Sequence, residues 1–261
     1  MSTLIVIPAR LGATRLPRKP LRLLGGEPLI VRVWERVVGM EIADDVVVAT
    51  DSAEVAAAAR AAGARVAMTR EDHQSGTDRV AEVANSPEFR GYDAFVNVQG
   101  DEPFIGSDAV AGALAQVTSG GFPLGTAACR AGSEILANPD AVKVVADSHG
   151  RALYFSRAPI PFLRDTDDRA ARDDLVRQHI GVYAYTREAL NRWVSLPPHP
   201  LEISERLEQL RALADGIAIG VAAASQVPGA RGIDSEDDLI HANTRWSSVH
   251  QDTPHKVAGT H

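Results

Sequence analysis

Four cations follow the first apolar run of the chain, in a stretch from Leu4 to Leu21 that reads LIVIPARLGATRLPRKPL. They are Arg10, Arg15, Arg18 and Lys19, and small residues lie between them. Small residues let the backbone approach an anion closely, and Arg and Lys supply positive charge, so this pattern predicts a phosphate-binding loop. A solvated basic loop is the alternative. The stretch lacks both G-x-x-x-x-G-K-[ST] and G-x-G-x-x-G, which argues against a P-loop ATPase and a common dinucleotide-binding fold.

A second candidate is Asp101, in the run Gln99-Gly100-Asp101-Glu102-Pro103 that follows a predicted buried strand from Ala94 to Val98. Ligands of open parallel sheets bind beyond the carboxyl ends of the strands. A carboxylate that faces bound phosphates there indicates an intervening Mg²⁺ ion, because like charges otherwise repel. A capping aspartate in a turn is the alternative interpretation.

A third candidate is the polar run TREDHQSGTDR from Thr69 to Arg79. Ser75 and Asp78 have the spacing of a capping box, and Gly76 follows the cap. The N–H groups of the helix N-terminus are suited to a nucleotide phosphate, although a simple helix cap explains the same residues.

These candidates need strands and helices that bring them together. Leu4–Ile7, Asp45–Thr50 and Arg65–Met68 have the composition of short buried strands. Helical patterns cover Pro28 to Val38 and the alanine-rich run that Ser52 caps. Strand, helix, strand, helix, strand in this order predicts a parallel sheet with helices on its faces.

The second half of the chain alternates less regularly. It has predicted strands at 124–129, 179–185 and 217–224, a predicted hairpin that turns at Ser148-His149-Gly150, and a single predicted helix from about Ser204. The alternation in 179–185 places His179, Gly181, Tyr183 and Tyr185 on one face. Ser235 and Asp238 predict another capped helix, and the polar residues 247–261 predict a flexible tail.

Composition bounds the function further. The chain has 261 residues, of which 45% are hydrophobic, a net charge of −7 and one cysteine, Cys129. The charge disfavours a broad nucleic-acid surface, and a single cysteine allows no intramolecular disulfide. The sequence shows no signal peptide or membrane-length apolar run, so we expect a cytoplasmic protein with no membrane partner.

Ordered motifs along the chain resemble those of one family. They are P-A-R, R-L-P and K-P-L, then M-T-R-x-D-H-x-S-G-T-[DE]-R, V-N-V-Q-G-D-E-P, NP-x-x-VKVV-x-D, ALYFSR, H-x-G-x-Y-x-Y and E-x-L-E-Q-L-R. From about Leu4 to Leu239 the chain resembles the CMP-Kdo synthetases (3-deoxy-manno-octulosonate cytidylyltransferases) of the sugar nucleotidyltransferase superfamily. It departs from their pattern at Arg18, where Gly is usual, at Ala13, where Ser or Thr is usual, and at Ile203, where His is frequent.

This resemblance implies a Rossmann-like three-layer α/β/α sandwich with a mixed, mainly parallel sheet and a smaller β-rich lobe for dimerisation and sugar binding. It implies one domain over residues 1–246, with a nucleotide-binding part over 1–120 and a sugar-binding part over 121–215. The implied nucleotide-binding residues are Ala9, Arg10, Arg15, Lys19, Arg70, Ser75, Gly76 and Asp101. The implied sugar-binding residues are Gln99, Arg157, His179, Tyr185, Glu205 and Gln209, with Arg157 on the sugar carboxylate.

The implied reaction transfers CMP from CTP to 3-deoxy-D-manno-octulosonate (Kdo), with Asp101 and Asp234 as Mg²⁺ ligands and Lys19, Arg10, Asp101 and Asp234 as catalytic residues. It would serve lipopolysaccharide biosynthesis, in a homodimer. From the residues alone, Asp234 could be only part of a helix start, and the spacing of Glu205 and Gln209 favours an exposed polar face. Activation of 8-amino-Kdo stays open, whereas ALYFSR disfavours sialic acid. A non-catalytic nucleotide-binding regulator is disfavoured because Lys19, Asp101 and Asp234 are all present.

Overall fold

The structure is a computed structural model that describes residues 1–12, 15–225 and 232–250. Ala13, one of the departures from the family pattern, and residues 251–261 of the predicted tail lie outside these ranges. Within the described residues no helix combines the length and apolar character that crossing a bilayer requires.

The strands, in chain order, are β1 (Thr3–Ala9), β2 (Leu23–Leu24), β3 (Glu27–Pro28), β4 (Asp45–Thr50), β5 (Arg65–Met68), β6 (Ala94–Asn97), β7 (Leu124–Arg130), β8 (Lys143–Ala146), β9 (Ala152–Ser156), β10 (Arg177–Thr186) and β11 (Ile219–Ala224). The α-helices are α1 (Leu29–Val38), α2 (Ala53–Ala61), α3 (Gly76–Asn85), α4 (Ser107–Thr118), α5 (Arg169–Asp173), α6 (Arg187–Ser195), α7 (Pro200–Glu205), α8 (Gln209–Ala214) and α9 (Glu236–His250).

The main sheet has the strand order β11-β7-β10-β6-β1-β4-β5. Neighbouring strands are parallel except where β10 lies between β6 and β7, antiparallel to both. The chain runs outward from β1 through β4 to β5 and then returns to place β6 on the other side of β1. The ends of β1 and β6 therefore form the topological switch point, where ligands of open α/β sheets bind.

Helices cover both faces of this sheet. On one face, Ile5 and Ile7 of β1 pack in a cluster with residues of α1, α2, α4 and α9. On the other, Leu4 and Val6 pack in a second cluster with residues of α3, α6 and α8. Because β1 is apolar on both faces, it can lie only in the middle layer. The predicted three-layer α/β fold with a mixed, mainly parallel sheet is confirmed.

The predicted hairpin of the second half is present. Strands β8 and β9 pair antiparallel, and β8 also pairs with β10, which joins the hairpin to the main sheet. Gly150 in its turn has a φ of 78°, a conformation that glycine adopts without strain. Strand β9 pairs only with β8 among the described strands and so ends this extension of the sheet.

The single helix predicted from about Ser204 is wrong. Helix α7 ends at Glu205, Arg206 takes a left-handed conformation with φ 53°, and α8 begins at Gln209. The apolar spacing in this region fits one helix, but contacts with β9, described below, hold Glu205 at the end of α7. At the other end of the chain, α9 continues through His250, past residue 247 where the predicted tail begins.

Candidate active site

A cleft of about 390 Å³ lies at the switch point, beyond the ends of β1 and β6. It brings together residues from all three candidate stretches and from the segment that precedes α9. Its lining is Pro8, Ala9, Arg10, Gly12, Arg15, Lys19, Pro20, His73, Ser75, Gly76, Arg79, Gln99, Gly100, Asp101 and Asp234. Nine of the residues proposed from the sequence therefore share one cleft.

The floor of the cleft depends on close contact between two strand ends. A Cβ atom on Gly100 would lie 2.6 Å from the carbonyl oxygen of Pro8, so a larger residue at this position would push the two ends apart. A Cβ atom on Gly76 would lie 3.2 Å from Pro8 and 3.6 Å from the amide oxygen of Gln99. These glycines allow the N-terminus of α3 to approach the same point.

Lys19 joins the two acidic residues of the cleft. Its ammonium group donates hydrogen bonds to Asp101 at 2.5 Å and to Asp234 at 2.9 Å, and its side chain is 17% exposed. Burial lowers the pKa of Lys19, but the two carboxylates outweigh this effect and raise it above its ordinary value. Lys19 therefore remains charged at neutral pH.

The Asp234 side chain is placed by backbone contacts on one side and by a helix cap on the other. The N–H of Ile233 donates to the carbonyl oxygen of Asp101 at 3.0 Å. The Ser235 and Asp238 side chains form the predicted capping box of α9. The cap of this helix is therefore Ser235, and the Asp234 carboxylate is free to face Lys19.

The remaining cations of the loop are more exposed. Arg15 donates to Asp234 at 2.9 Å with a side chain that is 73% exposed, and Arg10 lies at the end of β1 at the mouth of the cleft. Arg18 adopts a left-handed conformation with φ 58°, which explains why a related sequence would place glycine there. Its guanidinium pairs with Glu54 of α2.

The N-terminus of α3 has the predicted capping box, with Ser75 as the cap and Asp78 as its partner. Arg70 does not line the cleft: its guanidinium lies 3.3 Å from Asp72 and is largely exposed. Its main-chain N–H instead donates to Glu82, which also pairs with His73.

The proposed sugar residues Arg157 and Glu205 contact each other outside this lining. Glu205 accepts from Ser156 Oγ at 2.6 Å and from the main-chain N–H of Arg157 at 2.9 Å. The Arg157 guanidinium donates to the carbonyl oxygens of Glu205 and Pro139 at 2.7 and 2.8 Å. Within the described part of the chain the guanidinium donates to carbonyl oxygens and forms no ion pair with a carboxylate.

The proposed sugar residues on β10 form a ring cluster on the predicted face. His179 and Tyr183 have ring centroids 5.4 Å apart, and Tyr183 and Tyr185 are 6.2 Å apart. His179 Nε2 lies 3.0 Å from Thr126 Oγ1, and burial lowers the pKa of this imidazole well below its ordinary value. The hydroxyls of both tyrosines are buried, that of Tyr183 beside Thr126 and that of Tyr185 beside Asn97 and Thr77.

Gln209 is also buried, at the start of α8, and Ile203 is 55% exposed on α7. Glu208, the residue before Gln209, was not predicted from the sequence as a site residue. Its carboxyl accepts from Ser75 Oγ at 3.0 Å and from Thr77 Oγ1 at 3.2 Å. It thus connects the nucleotide-side helix α3 to the segment that carries the proposed sugar residues.

Glu102 was missed as well. Burial, reinforced by the charges of Asp101 and Asp234, raises the pKa of Glu102 to about 8. A local signal existed, because Glu102 follows Asp101 directly in the GDEP motif. Glu208 is part of the E-x-L-E-Q-L-R motif, but its position beside Ser75 depends on the break between α7 and α8.

Comparisons with known proteins identify the family of this chain. The model of the cytidylyltransferase family matches residues 4–219. A 3-deoxy-manno-octulosonate cytidylyltransferase of Gemmatimonas aurantiaca is 62% identical over 250 residues, which cover 96% of each chain. The chain belongs to the 3-deoxy-manno-octulosonate cytidylyltransferase family. A member from Proteus mirabilis is 43% identical over 95% of this chain and 98% of its own.

Solved structures place the family within a wider fold. CMP:2-keto-3-deoxy-manno-octonic acid synthetase, solved in complex with CTP, has a TM-score of 0.87 at 36% identity, covering 95% of this chain and all of its own. The 4-diphosphocytidyl-2C-methyl-D-erythritol synthase of Anaerococcus prevotii has a TM-score of 0.60 at 14% identity, over 94% and 95% of the two chains. The second likeness is one of fold alone.

Proposed function

We propose that this cytidylyltransferase transfers CMP from CTP to Kdo, forming CMP-Kdo and pyrophosphate. The anomeric hydroxyl of Kdo forms a bond to the α-phosphorus, the bond to pyrophosphate breaks, and the hydroxyl proton is released. Such a transfer depends mainly on positioning and on neutralising charge. The observation that carries the proposal is the hydrogen-bonded group of Lys19, Asp101 and Asp234 at the switch point, in a chain of this family.

The cations of the cleft have separate places along the triphosphate in this proposal. Lys19 is preorganised by two carboxylates and is suited to the charge that develops as pyrophosphate leaves. Arg10 and Arg15 are exposed at the cleft mouth, where they can bind the outer phosphates. Ser75 and Gly76 present the N-terminus of α3 to the nucleotide.

The acidic residues fit a Mg²⁺ ion. The carboxylates of Asp101 and Asp234 are hard oxygen donors, and both accept hydrogen bonds from Lys19. A bound Mg²⁺ ion would replace the Lys19 ammonium group between them or lie beside it. The described residues contain no group of three or more His, Cys, Asp or Glu that would enclose a metal. Mg²⁺ commonly uses one or two carboxylates and completes its shell with water and phosphate oxygens. When bound, it would neutralise phosphate charge and acidify the sugar hydroxyl.

Two features support the sugar half of the proposed site. The Arg157 guanidinium forms no ion pair with a carboxylate of the described residues, and its planar fork suits the carboxylate of a 2-keto sugar acid. Tyr185 and His179, which lie on one face of β10 with Tyr183 between them, are the residues proposed for the sugar hydroxyls. Glu205, Gln209 and Gln99 complete this proposed group. The residues do not distinguish Kdo from 8-amino-Kdo, which differ in one substituent.

Three further features belong to the same proposal: a cytoplasmic location, a role in lipopolysaccharide biosynthesis, and a homodimer. The support for a dimer is the end strand β9, on which Leu153 is 58% exposed, next to a loop in which Phe162 is 82% exposed. Light scattering at several concentrations tests the dimer. A Leu153→Lys variant that leaves the mass unchanged would place the contact elsewhere.

The decisive assay is pyrophosphate release from CTP and Mg²⁺ with a panel of Kdo, 8-amino-Kdo and sialic acid. We expect turnover with Kdo and none with sialic acid. Release with 8-amino-Kdo in preference to Kdo would assign the other substrate. Binding of CTP without release for any acid would indicate a regulator.

A further inference from the structure

Lys143 on β8 is a completely buried lysine, with no exposed surface. Its ammonium group donates hydrogen bonds to the carbonyl oxygens of Asn138 at 2.9 Å, Ala141 at 2.7 Å and Arg157 at 2.6 Å. A buried lysine is rare because removing its charge from water is costly. Three carbonyl acceptors use all three of its donors, so its position is fully determined.

The three carbonyls belong to two segments that meet at Arg157. Asn138 and Ala141 lie in the turn before β8, and Arg157 is the first residue after β9. The Arg157 guanidinium donates to the carbonyl of Pro139, in that same turn, at 2.8 Å. Lys143 therefore holds both the main chain of Arg157 and the turn on which its guanidinium rests.

The charged groups that act on Lys143 are Arg157 and Glu205. Burial lowers the pKa of Lys143, the nearby positive charge of Arg157 lowers it further, and Glu205 opposes this effect. Lys143, Arg157 and Glu205 therefore lie in one cluster, in which the Arg157 guanidinium donates to carbonyl oxygens. The guanidinium can also bind an anionic ligand.

We propose that Lys143 is a positioning residue for sugar-acid binding, which fixes the backbone and the guanidinium of Arg157 toward the carboxylate of the incoming sugar. This inference rests on the proposed function, because it takes Arg157 as the residue that binds the carboxylate. Lys143 itself contacts no substrate. A misplacement of about 1 Å in such a group is enough to lower activity greatly.

A purely structural role is the competing explanation, and Arg187 provides the matched control. Its guanidinium also donates to main-chain carbonyls, those of Ala84, Phe89, Arg90 and Tyr92, but these lie outside the cleft and the sugar residues. An Arg187→Met substitution removes a comparable set of bonds and leaves Arg157 untouched.

The test is steady-state kinetics on Lys143→Met, Arg157→Lys, the double variant and Arg187→Met, with Kdo and CTP varied in turn. We expect Lys143→Met to raise the KM for Kdo by roughly tenfold, with the KM for CTP within about twofold of the parent. In the double variant the Lys143 effect should largely disappear, because both changes act through one group. Arg187→Met should lower Tm without separating the two KM values.

Two results would overturn the inference: equal increases in both KM values for Lys143→Met, or effects that multiply fully in the double variant. An Arg157→Lys variant with an unchanged KM for Kdo would instead remove Arg157 from carboxylate binding, and the inference with it. If Lys143→Met does not fold, Lys143→Gln, which retains two donors, is measured against the same two criteria.

Discussion

Lys19 and Asp234 are 215 positions apart in the chain, yet the ammonium group of Lys19 donates a 2.9 Å hydrogen bond to the Asp234 carboxylate. The contact joins the loop after β1 to the residue that precedes the cap of α9. The site is therefore complete only when the first and last described segments of the chain are both folded. Mutations at either end should affect the same chemistry.

Lys19→Ala should lower turnover at saturating CTP by roughly a hundredfold, because one preorganised cation at a developing charge is worth about 3 kcal/mol. Arg22→Ala is the matched control, since Arg22 pairs with Glu236 of α9, and neither residue lines the cleft. Circular dichroism should show both variants folded. Normal turnover in Lys19→Ala would remove Lys19 from the mechanism.

Asp234→Asn and Asp101→Asn should each abolish most Mg²⁺-dependent activity, because an amide is a poor ligand for this ion. Ser235→Ala separates this role from helix capping. It removes the side chain that caps α9 and should cost about 1 kcal/mol in the free energy of unfolding while activity persists. The measurement is rate against Mg²⁺ concentration for all three. Unchanged magnesium dependence in Asp234→Asn would leave Asp101 as the proposed protein ligand.

Local signals predicted most of the framework. The Ser75–Asp78 and Ser235–Asp238 capping boxes are formed as their spacing indicates, and β4 and β5 have the predicted bounds. Such signals act within a few residues, so the sequence displays them directly. The resemblance to the family then indicated which strand ends carry the site.

The parts that could not be predicted depend on contacts between distant segments. The break after Glu205 is absent from the helical spacing of its neighbours, and it accompanies the contacts of Glu205 with Ser156 and Arg157. Glu208 has the sequence position of an exposed acidic residue, but the break turns it toward Ser75. Both errors have one cause, a long-range polar contact that overrides local helix propensity.

Arg157→Lys should raise the KM for Kdo far more than that for CTP. Lysine retains the charge but loses the planar fork, at a cost of about 1–3 kcal/mol in sugar binding. The Arg157 guanidinium forms no ion pair with a carboxylate of the described residues. Loss of an internal ion pair would therefore not complicate the result. Equal weakening for both substrates would indicate a role in folding or dimer formation.

Arg18→Gly should unfold at a higher temperature than Arg18→Ala. Both variants lose the exposed pair with Glu54, but only glycine adopts a φ of 58° without steric cost. The comparison of the two Tm values therefore isolates the backbone term from the ion pair. A lower Tm for Arg18→Gly would mean that the greater flexibility of glycine in the unfolded chain outweighs the relief of strain.

Glu208→Gln should change how stability depends on pH. Burial raises the pKa of Glu208 above its ordinary value of 4.5, although the hydrogen bond from Ser75 opposes the shift. The folded chain therefore holds this proton more tightly than the unfolded chain, and the parent protein loses stability as pH rises from the ordinary pKa through the raised one. Glutamine cannot ionise, so the variant should gain Tm relative to the parent at about pH 8 and little at about pH 5.

Glu202→Gln is the control of opposite sign for this prediction. Burial raises the pKa of Glu202, but its paired hydrogen bonds with Arg211 outweigh burial, and the net pKa is lowered. That carboxylate stabilises the fold above its unfolded pKa, and the contribution is lost as pH falls, so Glu202→Gln should lose Tm at about pH 8. Thermal unfolding of the three proteins at both pH values decides the matter. If Glu208→Gln also loses Tm at the higher pH, Glu208 is ionised in the folded protein and its contacts with Ser75 and Thr77 are those of a carboxylate.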